Sequence, residues 1–184
     1  MAQLLDKDGN IYNTVVIGEQ EWTLENLKTT HYADGTVIPR VPDATDWSNA
    51  GLTPDCANNG VLYNWYAANK NGGTGIGSIA PAGWHLPSLD EFLTLLTTID
   101  PPSGFNAGGP MKESGTIHWD APNIGATNAS GFTALPTGYR WIDGSFASKS
   151  AWTQWWNSTY FYGSIQVIAV LSGSDQYGVS FFPY

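Results

Sequence analysis

One segment constrains this chain more than any other: the run from Ser88 to Ile99, with proline on both sides. Ser88-Leu89-Asp90-Glu91 has the form of a capping box, in which Ser and Glu satisfy each other's free backbone N–H groups at a helix start. Phe92, Leu95, Leu96 and Ile99 follow at helical spacing. Pro87 biases Leu86 towards an extended conformation, and Pro101-Pro102 ends the run. An amphipathic helix is therefore predicted from residue 88. Val61 to Asn69, with Leu62, Trp65 and Tyr66 at helical spacing, predicts a second, shorter one.

The remaining chain is punctuated by turn residues, which admit only short extended pieces. Asp8-Gly9-Asn10 and Asp34-Gly35 read as turns, and Gly18 breaks a strand running from Tyr12 to Ile17. Glu21 to Leu27 resumes it, with Trp22, Leu24 and Leu27 as candidate inward residues. Residues 38–59 form a loop rich in Pro, Asp, Asn and Gly, and 71–77 a glycine-rich one. After Phe105, short strands lead to a run from Ile165 to Leu171, which turns at Ser172-Gly173-Ser174-Asp175 into a terminal hairpin. No repeat or linker is visible, so residues 1–184 read as one α+β domain.

Charge then narrows the function. Only 12% of residues are charged, against roughly 25% in soluble domains, and the net charge is -9 with seven scattered basic residues. Nucleic-acid binding needs clustered Lys or Arg, so it is excluded, and anionic membranes are disfavoured for the same reason. Nine Trp, nine Tyr and seven Phe suit a surface that recognises by stacking and hydrogen bonding. Cys56 is the one cysteine, so no intrachain disulfide forms. No apolar run is long enough to span a membrane, and Met1 to Asp6 does not read as a signal peptide.

Catalytic constellations are weak. His31, His85 and His118 have no metal-ligand spacing. Asp90 and Glu91 are explained by the helix dipole, and Asp43 and Asp46 by loop solvation. Asp6-Lys7-Asp8-Gly9-Asn10 resembles a calcium loop superficially, but its Gly comes too early and no Glu stands at the twelfth position. Gly73-Thr74-Gly75-Ile76-Gly77 lacks the strand and helix of a dinucleotide fingerprint. No cofactor is expected, while a structural calcium ion held by loop carbonyls stays open.

Several segments together carry a family pattern. They are Ile17-Gly18-Glu19-Gln20-Glu21-Trp22 with Glu25-Asn26-Leu27, Tyr63-Asn64-Trp65-Tyr66, and Pro81-Ala82-Gly83-Trp84-His85-Leu86-Pro87-Ser88. Lys112-Glu113-Ser114-Gly115, His118-Trp119, Gly131-Phe132-Thr133-Ala134-Leu135-Pro136, Gly138-Tyr139-Arg140, Asp143-Gly144-Ser145-Phe146 and Trp156-Asn157-Ser158-Thr159 follow in order. In these anchors the chain resembles the Fibrobacter succinogenes major paralogous domain family. The resemblance implies a C-type-lectin-like fold with two helices, short twisted antiparallel strands and long irregular loops. That fold is shared with formylglycine-generating, sulfatase-modifying enzymes and with the variable proteins of diversity-generating retroelements, whose C-terminal stretch is a hypermutated ligand-binding face. The last residues, Gly178 to Tyr184, depart from the usual family ending. Ala121-Pro122-Asn123 lacks the group that precedes Pro in the calcium-dependent sugar-binding lectins of this fold.

The tail holds the functional expectation. From Gly144 to Tyr184 the charged side chains are Lys149 and Asp175, amid eleven aromatic ones. The 165–171 strand is apolar on both faces, which fits either a central strand buried on both sides or an exposed recognition patch. Trp156 sits in a framework motif and is expected in the core. Residues 1–140 are read as framework and 141–184 as a candidate ligand-binding region. There the resemblance points to Trp141, Trp152, Gln154, Tyr160, Tyr162, Gln166, Ile168, Val170 and Ser172 as contact positions. The expected function is non-catalytic receptor or ligand binding by a monomeric domain on a virion or cell surface, its partner a protein or glycan on another cell or particle. The alternative is an enzyme of the sulfatase-modifying branch, in which Cys56 would carry the chemistry.

Overall fold

The computed structural model describes residues 4–40, 55–57, 60–75, 77–161 and 164–183, with backbone placement alone at 55–57, 60, 161, 164–166 and 179–183. The chain opens with two antiparallel pairs: β1 (Leu4–Leu5) with β2 (Ile11–Tyr12), and β3 (Thr14–Ile17) with β4 (Gln20–Thr23). One carboxylate organises the first turn. Asp6 accepts hydrogen bonds from the backbone N–H of Asp8 (3.0 Å) and Asn10 (2.9 Å), and from the Tyr12 hydroxyl (2.6 Å). Burial and that bond push the Tyr12 phenol above its ordinary pKa. The string that resembled a calcium loop is thus a turn whose leading carboxylate is already engaged. The strand expected from Glu21 to Leu27 ends at Thr23.

β5 (Asp55–Ala57) and β6 (Gly60–Leu62) form the next pair, so Leu62 belongs to a strand, not to the helix predicted over 61–69. That helix shrinks to α1 (Trp65–Ala68) because Asn64 caps its start, accepting from Ala67 N–H at 2.9 Å. A 3-10 turn, Lys70–Gly73, follows. The capping-box helix is α2 (Leu89–Ile99), with both halves of the box formed and Phe92, Leu95 and Leu96 buried. A third short helix, α3 (Gly108–Met111), was not legible in the sequence.

Beyond α3 the chain forms a small hairpin, β7 (Tyr139–Arg140) with β8 (Phe146–Ala147), and then the main sheet. In that sheet β10 (Ser164–Leu171) lies between β9 (Trp152–Phe161) and β11 (Tyr177–Pro183), all antiparallel. The architecture is mixed, with few helices and short antiparallel strands. Each face of β10 is apolar because each is covered. Ile168 and Val170 meet Phe92, Leu95, Leu96, Met111, Trp119 and Phe132 in the main core, while Val167 and Ala169 are buried on the opposite face. A smaller cluster gathers Tyr32, Ile38, Ala67 and Ile79.

The register of β9 against β10 shifts between Ile165 and Val167, so that three residues of β9 face one of β10. This bulge bends Ser158 and Thr159 onto the start of α2. Ser158 N–H donates to the Pro87 carbonyl at 2.9 Å, and Leu89 N–H to the Thr159 hydroxyl at 2.9 Å. Among the described residues no helix is long and apolar enough to cross a membrane.

Candidate functional site

The β7–β8 hairpin is built around Asp143-Gly144. Asp143 accepts from Ser145 N–H (2.9 Å) and its hydroxyl (2.6 Å), which hold the exposed carboxyl below its ordinary pKa. Gly144 takes φ +84°, open to glycine at little cost. At the base, Gly138 N–H donates to the Trp152 carbonyl at 2.7 Å, and a β-carbon at 138 would lie 2.4 Å from the Ala147 oxygen. The hairpin is thereby docked on the first residue of β9.

This docking assembles aromatic side chains. Tyr139 makes edge contacts with Trp141 (centroids 4.9 Å apart) and with Trp152 (5.7 Å), while the Arg140 guanidinium lies 4.9 Å from the centre of the Phe146 ring. Trp141, Ile142 and Phe146 are 48%, 80% and 56% exposed. A second aromatic group lies at the other end of β9. Exposed Tyr160 packs on Trp65 at 6.0 Å, and Trp65 on exposed Tyr66 at 5.8 Å. Seven residues lie between Trp152 and Tyr160, a separation of at most roughly 25 Å at the usual rise, shortened by the bulge at 157–159.

The nine expected contact positions therefore divide. Trp141 and Trp152 share the hairpin cluster, Tyr160 stands at the far end, and half-buried Gln154 lies between them. Ile168 and Val170 are corrected: both are fully buried, because β10 is the central strand and its α2-facing side chains form the core. Ser172 is also buried, with the loop at Ile124 donating to its carbonyl at 2.8 Å. Tyr162 and the Gln166 side chain fall outside the described residues, as do Asp43 and Asp46. Trp156, expected in the core, is half-buried, and its indole N–H donates to the Tyr63 carbonyl at 2.7 Å. Ile142 and Phe146, exposed on the same hairpin, were not among the expected positions. The signal for them was Asp143-Gly144 between aromatic arms, a hairpin pattern that places its tip in water.

Alongside β9 lies a cavity of about 580 Å³. Gln154, Trp155 and Trp156 all line it, and since successive strand side chains point to opposite faces, it runs along the edge of β9 not paired with β10. Its other walls come from the β3–β4 hairpin, the loop preceding α2 and residues 132–137.

The histidines pair locally with carboxylates. His31 contacts Asp8, His85 Nε2 lies 2.8 Å from Glu91, and His118 Nδ1 lies 2.9 Å from Glu113. Burial acts to raise the Glu91 carboxyl, but hydrogen bonds from Ser88 and His85 hold it below its ordinary value. Among the described residues no three His, Cys, Asp or Glu side chains gather as a metal site would require.

Residues 15–176 fit the sequence pattern of the Fibrobacter succinogenes major domain. No curated protein and no solved structure matches the chain.

Proposed function

The chain belongs to the Fibrobacter succinogenes major domain family, and from that premise we propose that it is a non-catalytic binding module with a C-type-lectin-like fold. It grips a protein or glycan on another cell or particle through its C-terminal region, from a place on a virion or cell surface. One observation carries the reading: Trp141, Ile142 and Phe146 stand in water on a hairpin whose backbone is fixed at both ends. Large apolar side chains exposed together mark partner contacts, and bracing by Tyr139 and Trp152 lowers the entropy lost when a partner orders them. Diversification of the tail by a retroelement belongs to the same proposal. It would act on positions whose side chains reach solvent, such as Trp141, Gln154 and Tyr160.

The test is binding of the fluorescently labelled domain to a glycan array and to intact bacterial cells, with Trp141→Ser/Phe146→Ser beside the wild type. The expected result is a saturable signal that the double variant loses while keeping its thermal midpoint. A signal unchanged in that variant overturns the assignment to the hairpin. Sequencing the neighbouring DNA for a reverse transcriptase with a near-copy of the 3′ end, differing at adenines, tests diversification.

A further inference from the structure

The cavity beside β9 combines indole rings and carboxylates in its lining, with His85 as its one basic group. Four indoles line it: Trp22, Trp84, Trp155 and Trp156. Aromatic faces carry negative potential and attract cations, tryptophan most strongly. Its acidic lining groups are Glu19, Glu21, Glu25 and Glu91, and no Lys or Arg is among the lining residues.

Among the described residues, no Lys or Arg pairs with the carboxylates of Glu21 and Glu25, which neutral donors position. Glu25 accepts from Asn13 N–H (2.7 Å) and its side-chain amide (2.6 Å), and Glu21 from the Thr14 hydroxyl (2.6 Å). These donors are neutral, so they orient the oxygens and leave the charge in place. Among the described residues, Glu91 has a titratable partner, His85. An anion entering here would be repelled, and an uncharged ligand would use the indole faces but none of the charge. A cation with an apolar skin would use both.

We propose that this cavity is a binding site for a small organic cation, a methylated or otherwise substituted ammonium group. The indoles of Trp22, Trp84, Trp155 and Trp156 would form its wall, and the carboxylates of Glu21 and Glu25 would set its potential. A volume near 580 Å³ lies within the range of small-molecule sites and leaves room for an organic body beyond the ammonium head. Trp155 and Trp156 are held for this role by indole N–H bonds to Asn26 Oδ1 (3.4 Å) and the Tyr63 carbonyl (2.7 Å), which fix the ring planes. Trp22 is fixed by packing on Phe92 (5.1 Å) and Phe132 (6.0 Å). The site is separate from the β7–β8 hairpin, since Trp141 does not line it, so the two readings fail independently.

The experiment titrates the whole chain, with its tryptophans labelled by ¹⁵N, using choline, its uncharged isostere 3,3-dimethyl-1-butanol, and methyl glucoside. Indole N–H resonances and calorimetry report binding. Choline is expected to shift the cavity indoles saturably and to bind at least about tenfold more tightly than the isostere, as desolvated cation–π contacts imply. Trp84→Ala, on a loop outside both apolar clusters, and Glu21→Gln, at an exposed strand position that keeps its acceptor for Thr14, should each weaken choline by about fivefold. The proposal is overturned by no saturable shift with choline, by equal affinity for the isostere, or by preference for the glucoside. Undiminished choline binding in a folded Glu21→Gln variant also overturns it.

Discussion

Gly108 in α3 lies so close to Gln176 that a β-carbon at 108 would stand 2.5 Å from the Gln176 carbonyl oxygen and 2.8 Å from its carbon. The adjacent Gly109 N–H donates to the Asp175 carbonyl at 2.7 Å. Backbone meets backbone here, so no side chain can rotate away. The contact pins the turn between β10 and β11 to the framework. Gly108→Ala should destabilise the domain by about 1–3 kcal/mol through overpacking, despite alanine's better helix propensity. Gly173→Ala, in the same turn with nothing within 4 Å of the added carbon, should change stability little. Urea unfolding of both variants measures the contrast, and equal midpoints would remove the claim.

Lys112 ties the same turn from beneath. Its side chain is fully buried, and Nζ donates to the carbonyls of Ile124 (2.8 Å), Leu171 (2.7 Å) and Ser174 (2.7 Å). Burial pushes the ammonium down from 10.5 to about 8, with Asp175 acting in the opposite direction. Between those two values the unfolded chain binds the proton more tightly than the folded one. This group's contribution to the free energy of unfolding therefore rises with pH across that window and is lost as pH falls through about 8. Lys112→Met should cost about 3 kcal/mol or more at pH 7, by leaving the three carbonyls without their donor. The stability gap between wild type and variant should then widen from pH 8 to 10.5. A gap that narrows there contradicts the depressed pKa.

Some of this architecture was legible in the sequence because its determinants are local. The capping box of Ser88 and Glu91, the proline fence and the helical spacing of Phe92, Leu95 and Leu96 needed no tertiary information. The terminal hairpin was equally plain, since Ile165 to Leu171 can only be a strand and Ser172 to Asp175 can only turn it. What escaped depends on contacts distant in sequence. α3 forms from Gly-Gly-Pro, poor helix material, because glycine alone lets the chain approach Asp175 and Gln176. β9 carries Trp155 and Trp156 side by side and a bulge at 157–159, so its alternation is broken. The site reading erred at Ile168 and Val170 for a related reason. Sequence gives the two faces of a strand but not whether a helix covers one of them.

That correction separates stability from recognition. Ile168 lies against α2 in the core, and Ile168→Ala should cost about 2–5 kcal/mol while leaving the surface chemistry untouched. Trp141→Ser, at a site 48% exposed, should cost less than about 1 kcal/mol. If the hairpin is the recognition surface, partner binding should follow the reverse order, lost in Trp141→Ser and kept by the folded fraction of Ile168→Ala. Denaturation curves measured beside array binding decide it. Greater instability in Trp141→Ser would mean that the indole is part of the core.

Two indoles offer a comparison of made and unmade hydrogen bonds. Trp119 Nε1 donates to the Ala134 carbonyl at 3.0 Å inside the main core, whereas Trp22 Nε1 is buried with no hydrogen-bond partner among the described residues. Replacing either ring by phenylalanine removes a similar volume, and the packing loss is greater at Trp119, closed in the core, than at half-buried Trp22 on the cavity wall. Trp119→Phe also gives up a bond worth about 1 kcal/mol net, while Trp22→Phe removes an N–H whose unpaired burial costs about 1–3 kcal/mol. Trp119→Phe should therefore be the more destabilising by about 2 kcal/mol or more, with Trp22→Phe close to neutral. The measurement is the free energy of unfolding in urea for each. Equal losses would show that the Trp22 indole finds a partner in solution.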